Sequence, residues 1–108
     1  MRQEITLFLK KYIDEFKLLD IKGVEAIILF GSQARGTARV SSDIDIAIVM
    51  EESLTPRLRG MLLSLGEDVD PRFEVNLFFT TQKALDSATK VLNTNTHIKK
   101  EGVVLWHQ

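Results

Sequence analysis

Cysteine is absent from the 108 residues, which excludes disulfides, thiolate nucleophiles and cysteine-based zinc sites together. That absence suits a reducing compartment, and a cytoplasmic protein is expected. An excess of one charge is also missing. Fourteen Lys and Arg face fifteen Asp and Glu, for a net charge of −1, so the basic face of a dedicated nucleic-acid binder is not expected. Long apolar runs are lacking too. The first twenty residues, MRQEITLFLKKYIDEFKLLD, carry a charge every few positions, which argues against a signal peptide or a membrane span. Repeats, linkers and low-complexity stretches are likewise missing. What remains is ordinary globular composition, 44% hydrophobic and 27% charged, in a chain sized for one domain, 1–108, with a real core.

Ile5, Phe8, Leu9, Tyr12, Ile13, Phe16 and Leu19 recur at helical spacing, with Lys10, Lys11, Asp14, Glu15 and Lys17 between them. This predicts an amphipathic helix over 3–20, with Gly23 as a stop. Residues 24–30 then read as a buried strand, broken at Gly31-Ser32-Gln33-Ala34-Arg35-Gly36. After a polar loop, residues 43–50 resume strand character, with Asp43, Asp45, Ala47 and Val49 on one face and Ile44, Ile46, Ile48 and Met50 on the other. Thr55-Pro56 opens a helix as cap and first-turn proline, and Asp70-Pro71 ends it. Residues 73–80 alternate again, with Phe73, Val75, Leu77 and Phe79 opposite Glu74, Asn76 and Phe78. A helix over 81–92, with Ala84, Leu85, Ala88 and Val91 inward, a short helix ending at Gly102 and a strand over 103–106 complete the order α-β-turn-β-α-β-α-β.

The anomaly is acid on strand faces that ought to be apolar. Asp43 and Asp45 project in parallel, roughly 6–7 Å apart at the backbone, and repel each other. A divalent cation between them removes that repulsion, and hard carboxylate oxygens suit Mg²⁺. The competing reading is an exposed strand whose outer face is merely charged. Gly31-Ser32 weighs against it: glycine admits close backbone approach, and a serine opening a helical turn offers its N–H and hydroxyl to a phosphate. Gly-Ser after a strand is a weak signal alone. Followed ten residues later by Asp-x-Asp, it would arise by chance about once in a thousand chains of this length.

These residues resemble the signature of the DNA polymerase β-like nucleotidyltransferases. The run GSQARGTARVSSDIDIAIV is similar to the small prokaryotic minimal nucleotidyltransferase (MNT) branch, which includes antitoxins paired with HEPN-domain ribonuclease toxins. THIKKEGVVLW resembles the closing segment of such domains, so the likeness spans most of residues 24–106. It implies an α/β (α+β) nucleotidyltransferase fold, a small mixed sheet with helices packed on one face. It also implies transfer of a nucleoside monophosphate from ATP or another nucleoside triphosphate to a hydroxyl. Carried over, Gly31 and Ser32 cradle the outer phosphates, and Asp43 and Asp45 hold two Mg²⁺ ions. The family's third carboxylate, on a neighbouring strand, is assigned to Glu74, where the usual residue is aspartate. Arg35 is assigned to phosphate, or alternatively to a bridge with acids opposite.

The resemblance implies an acceptor presented by another subunit or protein, with a tyrosine of a HEPN toxin as the expected acceptor and this chain as the antitoxin. Two rival readings stand beside it. One is a non-catalytic antitoxin acting by occlusion; the other is a small-molecule, antibiotic-modifying nucleotidyltransferase working as a homodimer. His97 and His107 lie far from the motif and are not expected to act there.

Overall fold

The computed structural model describes residues 2–39, 43–51, 55–88 and 93–108. Its strands are β1 (Val24–Phe30), β2 (Ile44–Met50), β3 (Val75–Thr81) and β4 (Val103–His107), and its helices are α1 (Gln3–Leu19), α2 (Gly31–Arg35), α3 (Pro56–Val69), α4 (Gln82–Asp86) and α5 (Thr94–Glu101). The strands form a sheet in the order β3-β2-β1-β4. β2 and β3 run parallel, joined through α3, whereas β1 is antiparallel to both β2 and β4.

The period-two pattern of β2 divides the molecule. Ile44, Ile46, Ile48 and Met50 face a core built with Ile5, Phe8, Leu9, Tyr12, Ile13 and Phe16 of α1 and Leu62 and Leu65 of α3. Each fully buried aliphatic side chain of this kind contributes about 1.5–3 kcal/mol. Phe73 and Trp106 close the ends of the layer, their ring centroids 5.0 Å from Phe8 and Phe16 respectively. Ala47 and Val49 face the other way, with Leu85 of α4 and Ile98 of α5. The two long helices thus cover one face of the sheet, as expected, and the short α4 and α5 cover part of the other. Buried Thr80 ties β3 to α5 by donating to Asn95 Oδ1 at 2.6 Å.

Local chemistry sets the helix ends. Thr55 caps α3, its hydroxyl accepting the Leu58 N–H at 3.3 Å, with Pro56 in the first turn. Asn93 does the same for α5 through the Thr96 N–H at 3.0 Å. Helix α1 stops at Leu19, four residues before Gly23, because Asp20 adopts a left-handed φ of 50° and donates its N–H to the Lys17 carbonyl. Helix α4 ends at Asp86, short of the expected span. Ala88 lies beyond it, and Val91 and Leu92 fall outside the described residues. Among the described residues no helix is long and apolar enough to cross a membrane.

Tyr12 is fully buried, and its hydroxyl has no hydrogen-bond partner among the described residues. Burial alone pushes its phenol above the ordinary value of 10.0. Because an unsatisfied buried hydroxyl carries a desolvation cost of about 1–3 kcal/mol, Tyr12→Phe should leave urea stability unchanged or raise it within that range. The pH dependence follows the same logic. Above about pH 10 the unfolded chain releases this proton and the folded chain keeps it, so stability falls as pH rises. Tyr12→Phe should flatten that alkaline limb. A loss of more than about 1 kcal/mol on substitution would show that the hydroxyl is bonded after all.

Candidate active site

The site lies where the C-terminal end of β1 meets the N-terminal end of β2. The antiparallel register pairs Phe30 with Asp45, so the chain leaves β1 directly beside Asp45 and turns at once into α2. Gly31 makes that turn with φ +74°, a conformation that residues bearing a Cβ adopt at a cost. A Cβ at Gly31 would also land on Asp45 Oδ2, with Asp45 Cγ 3.1 Å away. Backbone is therefore pressed against the carboxylate, and only glycine permits the contact.

Ser32 follows in the first turn of α2. Its N–H is one of the groups that a helix start leaves without an intrahelical partner, and no hydrogen bond of its hydroxyl is found among the described residues. Its carbonyl accepts from Thr37 N at 3.0 Å and from Gly36 N, which closes the short helix over a left-handed Gly36 with φ 77°. Gln33 is buried in the same turn, its Nε2 without a partner among the described residues.

Asp43 and Asp45 are both half-buried. Their carboxylates converge on one group, the side-chain amide of Asn76, which donates to Asp43 Oδ2 at 3.0 Å and to Asp45 Oδ1 at 3.3 Å. The parallel β2–β3 register places Asn76 directly opposite Asp45. The amide thus offsets the mutual repulsion of the two acids with two charge-assisted hydrogen bonds.

Glu74 does not join them. Its backbone carbonyl accepts the Ile44 N–H at 2.9 Å, but the residue lies one step before β3 and lines a recess with Leu63, Gly66, Glu67, Pro71 and Arg72. Among the described residues no three acidic or histidine side chains converge closely enough to hold a metal ion. The strand position nearest the aspartate pair belongs to Asn76. Asn76 is not among the residues expected at the site, although a polar residue in an otherwise apolar strand is a usable signal.

Arg35 is engaged by α5. Its guanidinium contacts both carboxylate oxygens of Glu101, at 3.0 and 3.1 Å. His97 Nδ1 lies 3.6 Å from the same carboxylate. This cluster joins α2 to α5 rather than pointing at the aspartates.

Two carboxylates side by side, a backbone cradle on one flank and an open helical turn next to them form a donor set that fits one hard divalent cation carrying a phosphate. The family described as polymerase beta, nucleotidyltransferase, matches residues 8–104. The chain belongs to that family. No curated protein matches it in sequence. Among solved structures, a toxin–antitoxin complex with AMP-PNP is 29% identical with a TM-score of 0.65, over 93% of this chain and 73% of that one. The MntA–HepT toxin–antitoxin is 27% identical with a TM-score of 0.54, over 91% and 71%. A tri-AMPylated Shewanella oneidensis HEPN toxin in complex with its MNT antitoxin contains a chain 25% identical, with a TM-score of 0.54, over 94% and 73%.

Proposed function

We propose that this chain is a nucleotidyltransferase that moves AMP from ATP to a tyrosine hydroxyl of a HEPN-domain partner and thereby acts as an antitoxin. The observation that carries the reading is the convergence of Asp43 and Asp45 beside the Gly31 turn. The similar complexes, one with AMP-PNP and one with an AMPylated HEPN toxin, support the nucleotide and the acceptor class.

Asp43 and Asp45 would hold a divalent cation such as Mg²⁺, and the first-turn N–H groups at Gly31 and Ser32 would donate to phosphate oxygens. When bound, the cation neutralises charge on the triphosphate and on the leaving group. The acceptor oxygen forms a bond to the α-phosphorus, the bond from that phosphorus to the bridging oxygen breaks, and pyrophosphate leaves. The hydroxyl proton departs to a base or to water. Arg35 reaches phosphate only by releasing Glu101, so its part is to brace α2 against α5.

Incubation with labelled ATP, Mg²⁺ and the HEPN partner should place label on a partner tyrosine. Ser32→Ala should slow labelling by about 1.5–3 kcal/mol, the worth of a hydrogen bond to a charged group. Label on an aminoglycoside and never on the partner would move the chain to the antibiotic-modifying reading. The occlusion reading keeps one observation in its favour: the neutral amide of Asn76, and no third acid, meets the aspartate pair among the described residues. Neutralisation of the partner with no detectable transfer would select it.

A further inference from the structure

The family resemblance implies two cations at this site; the inference made here rests on the nucleotidyltransferase reading and departs from that number. We propose that Asn76 is the third corner of the metal site and makes it a one-cation site. The aspartate pair is bounded by Gly31 on the β1 side and by Asn76 on the β3 side. A second ion would have to draw protein oxygen from β3. The group there presents its N–H₂ to both carboxylates, at 3.0 and 3.3 Å, and a donor facing inward opposes a cation. Turned over, the amide offers only a neutral oxygen. Two carboxylates balance the charge of one divalent ion, and a second would have no protein charge to meet it. Glu74 does not supply it, since no third acid converges on the pair among the described residues.

An amide at this place also leaves the aspartate pair without a neighbouring protein base. An amide cannot accept the proton of the attacking hydroxyl, so that proton leaves to a base carried by the acceptor protein or to water. Asn76 is thus a positioning residue: its amide ties Asp43 and Asp45 together, ready for the ion that travels with the nucleotide.

The test is a count of protein-bound Mn²⁺ by electron paramagnetic resonance, with a non-hydrolysable ATP analogue present and Mn²⁺ rising. Wild type, Asn76→Ala and Glu74→Gln should each hold one ion per chain. Asn76→Asp should gain a second, bound at least about tenfold tighter than any second ion in wild type, because ligand charge sets affinity at such sites. Without metal, Asn76→Asp should melt lower than wild type, as three carboxylates then meet, and Mn²⁺ should restore it. That recovery reports the ion independently of the count. Two ions of similar affinity in wild type, a count of one in Asn76→Asp, or loss of the ion in Glu74→Gln would each overturn the assignment. An absence of bound Mn²⁺ in every variant would instead sink the nucleotidyltransferase reading, and this inference with it.

Discussion

Replacing Asp43 and Asp45 together by alanine should abolish the rise in melting temperature that Mg²⁺ and ATP give the wild-type chain. A ligand at a hundred times its dissociation constant stabilises the folded state by about 2.7 kcal/mol, or roughly 10 °C or more for a domain of this size. The double substitution removes the only two carboxylates that converge at the site among the described residues. Transfer should fall by more than about a thousandfold, since the charge stabilisation lost is worth several kcal/mol. The fold without ligand should survive, because Asp43 and Asp45 stand on the face opposite the main core, and relief of their repulsion should leave stability unchanged or slightly higher. Differential scanning fluorimetry with and without nucleotide measures both effects in one experiment. An undiminished shift in the double variant would place the metal and nucleotide elsewhere.

Gly31→Ala should be nearly as damaging to activity, and for a different reason. The new methyl group meets Asp45 Oδ2 and Cγ, and the backbone there has φ +74°. The left-handed conformation costs about 1–3 kcal/mol of stability. The clash then pushes Asp45 away from Asn76, so the nucleotide-dependent shift should disappear although both aspartates remain. Gly36→Ala is the matching control. Its φ is +77°, but nothing lies within 4 Å of the added methyl, so it should lose similar stability and keep the nucleotide response. Were both variants to respond to nucleotide alike, the close approach of Gly31 to Asp45 would have no functional meaning.

These residues show what could be read from the chain unaided. The facing of β2 was legible because strand alternation is rigid: Ile44, Ile46 and Ile48 had to go one way and Asp43 and Asp45 the other. The opening of α3 was legible because Thr55 and Pro56 act locally. Gly31 was singled out for backbone approach, and the structure supplies the group it approaches. Partners remote in sequence were harder. Nothing in residues 73–80 reveals which of them lies opposite Asp45; that depends on the register of two parallel strands separated by α3. Glu74 was preferred because it carries charge, whereas the register favours Asn76. Arg35 illustrates the same limit, since its partner Glu101 is 66 residues away. The span of α1 was legible to within a residue, although Asp20, and not Gly23, takes the left-handed cap.

The alternation of β2 carries a further consequence. Folding is vested in its even-numbered residues and chemistry in its odd-numbered ones at the N-terminal end, so the two can be lost independently. A chain whose aspartates had drifted to neutral residues would still fold, still be produced, and still present the same outer surface to whatever it docks against. No quality-control step that senses unfolding would notice. In a protein of this design the exchange of these acids for neutral residues meets no structural barrier, and the neutral amide of Asn76 already stands opposite Asp45.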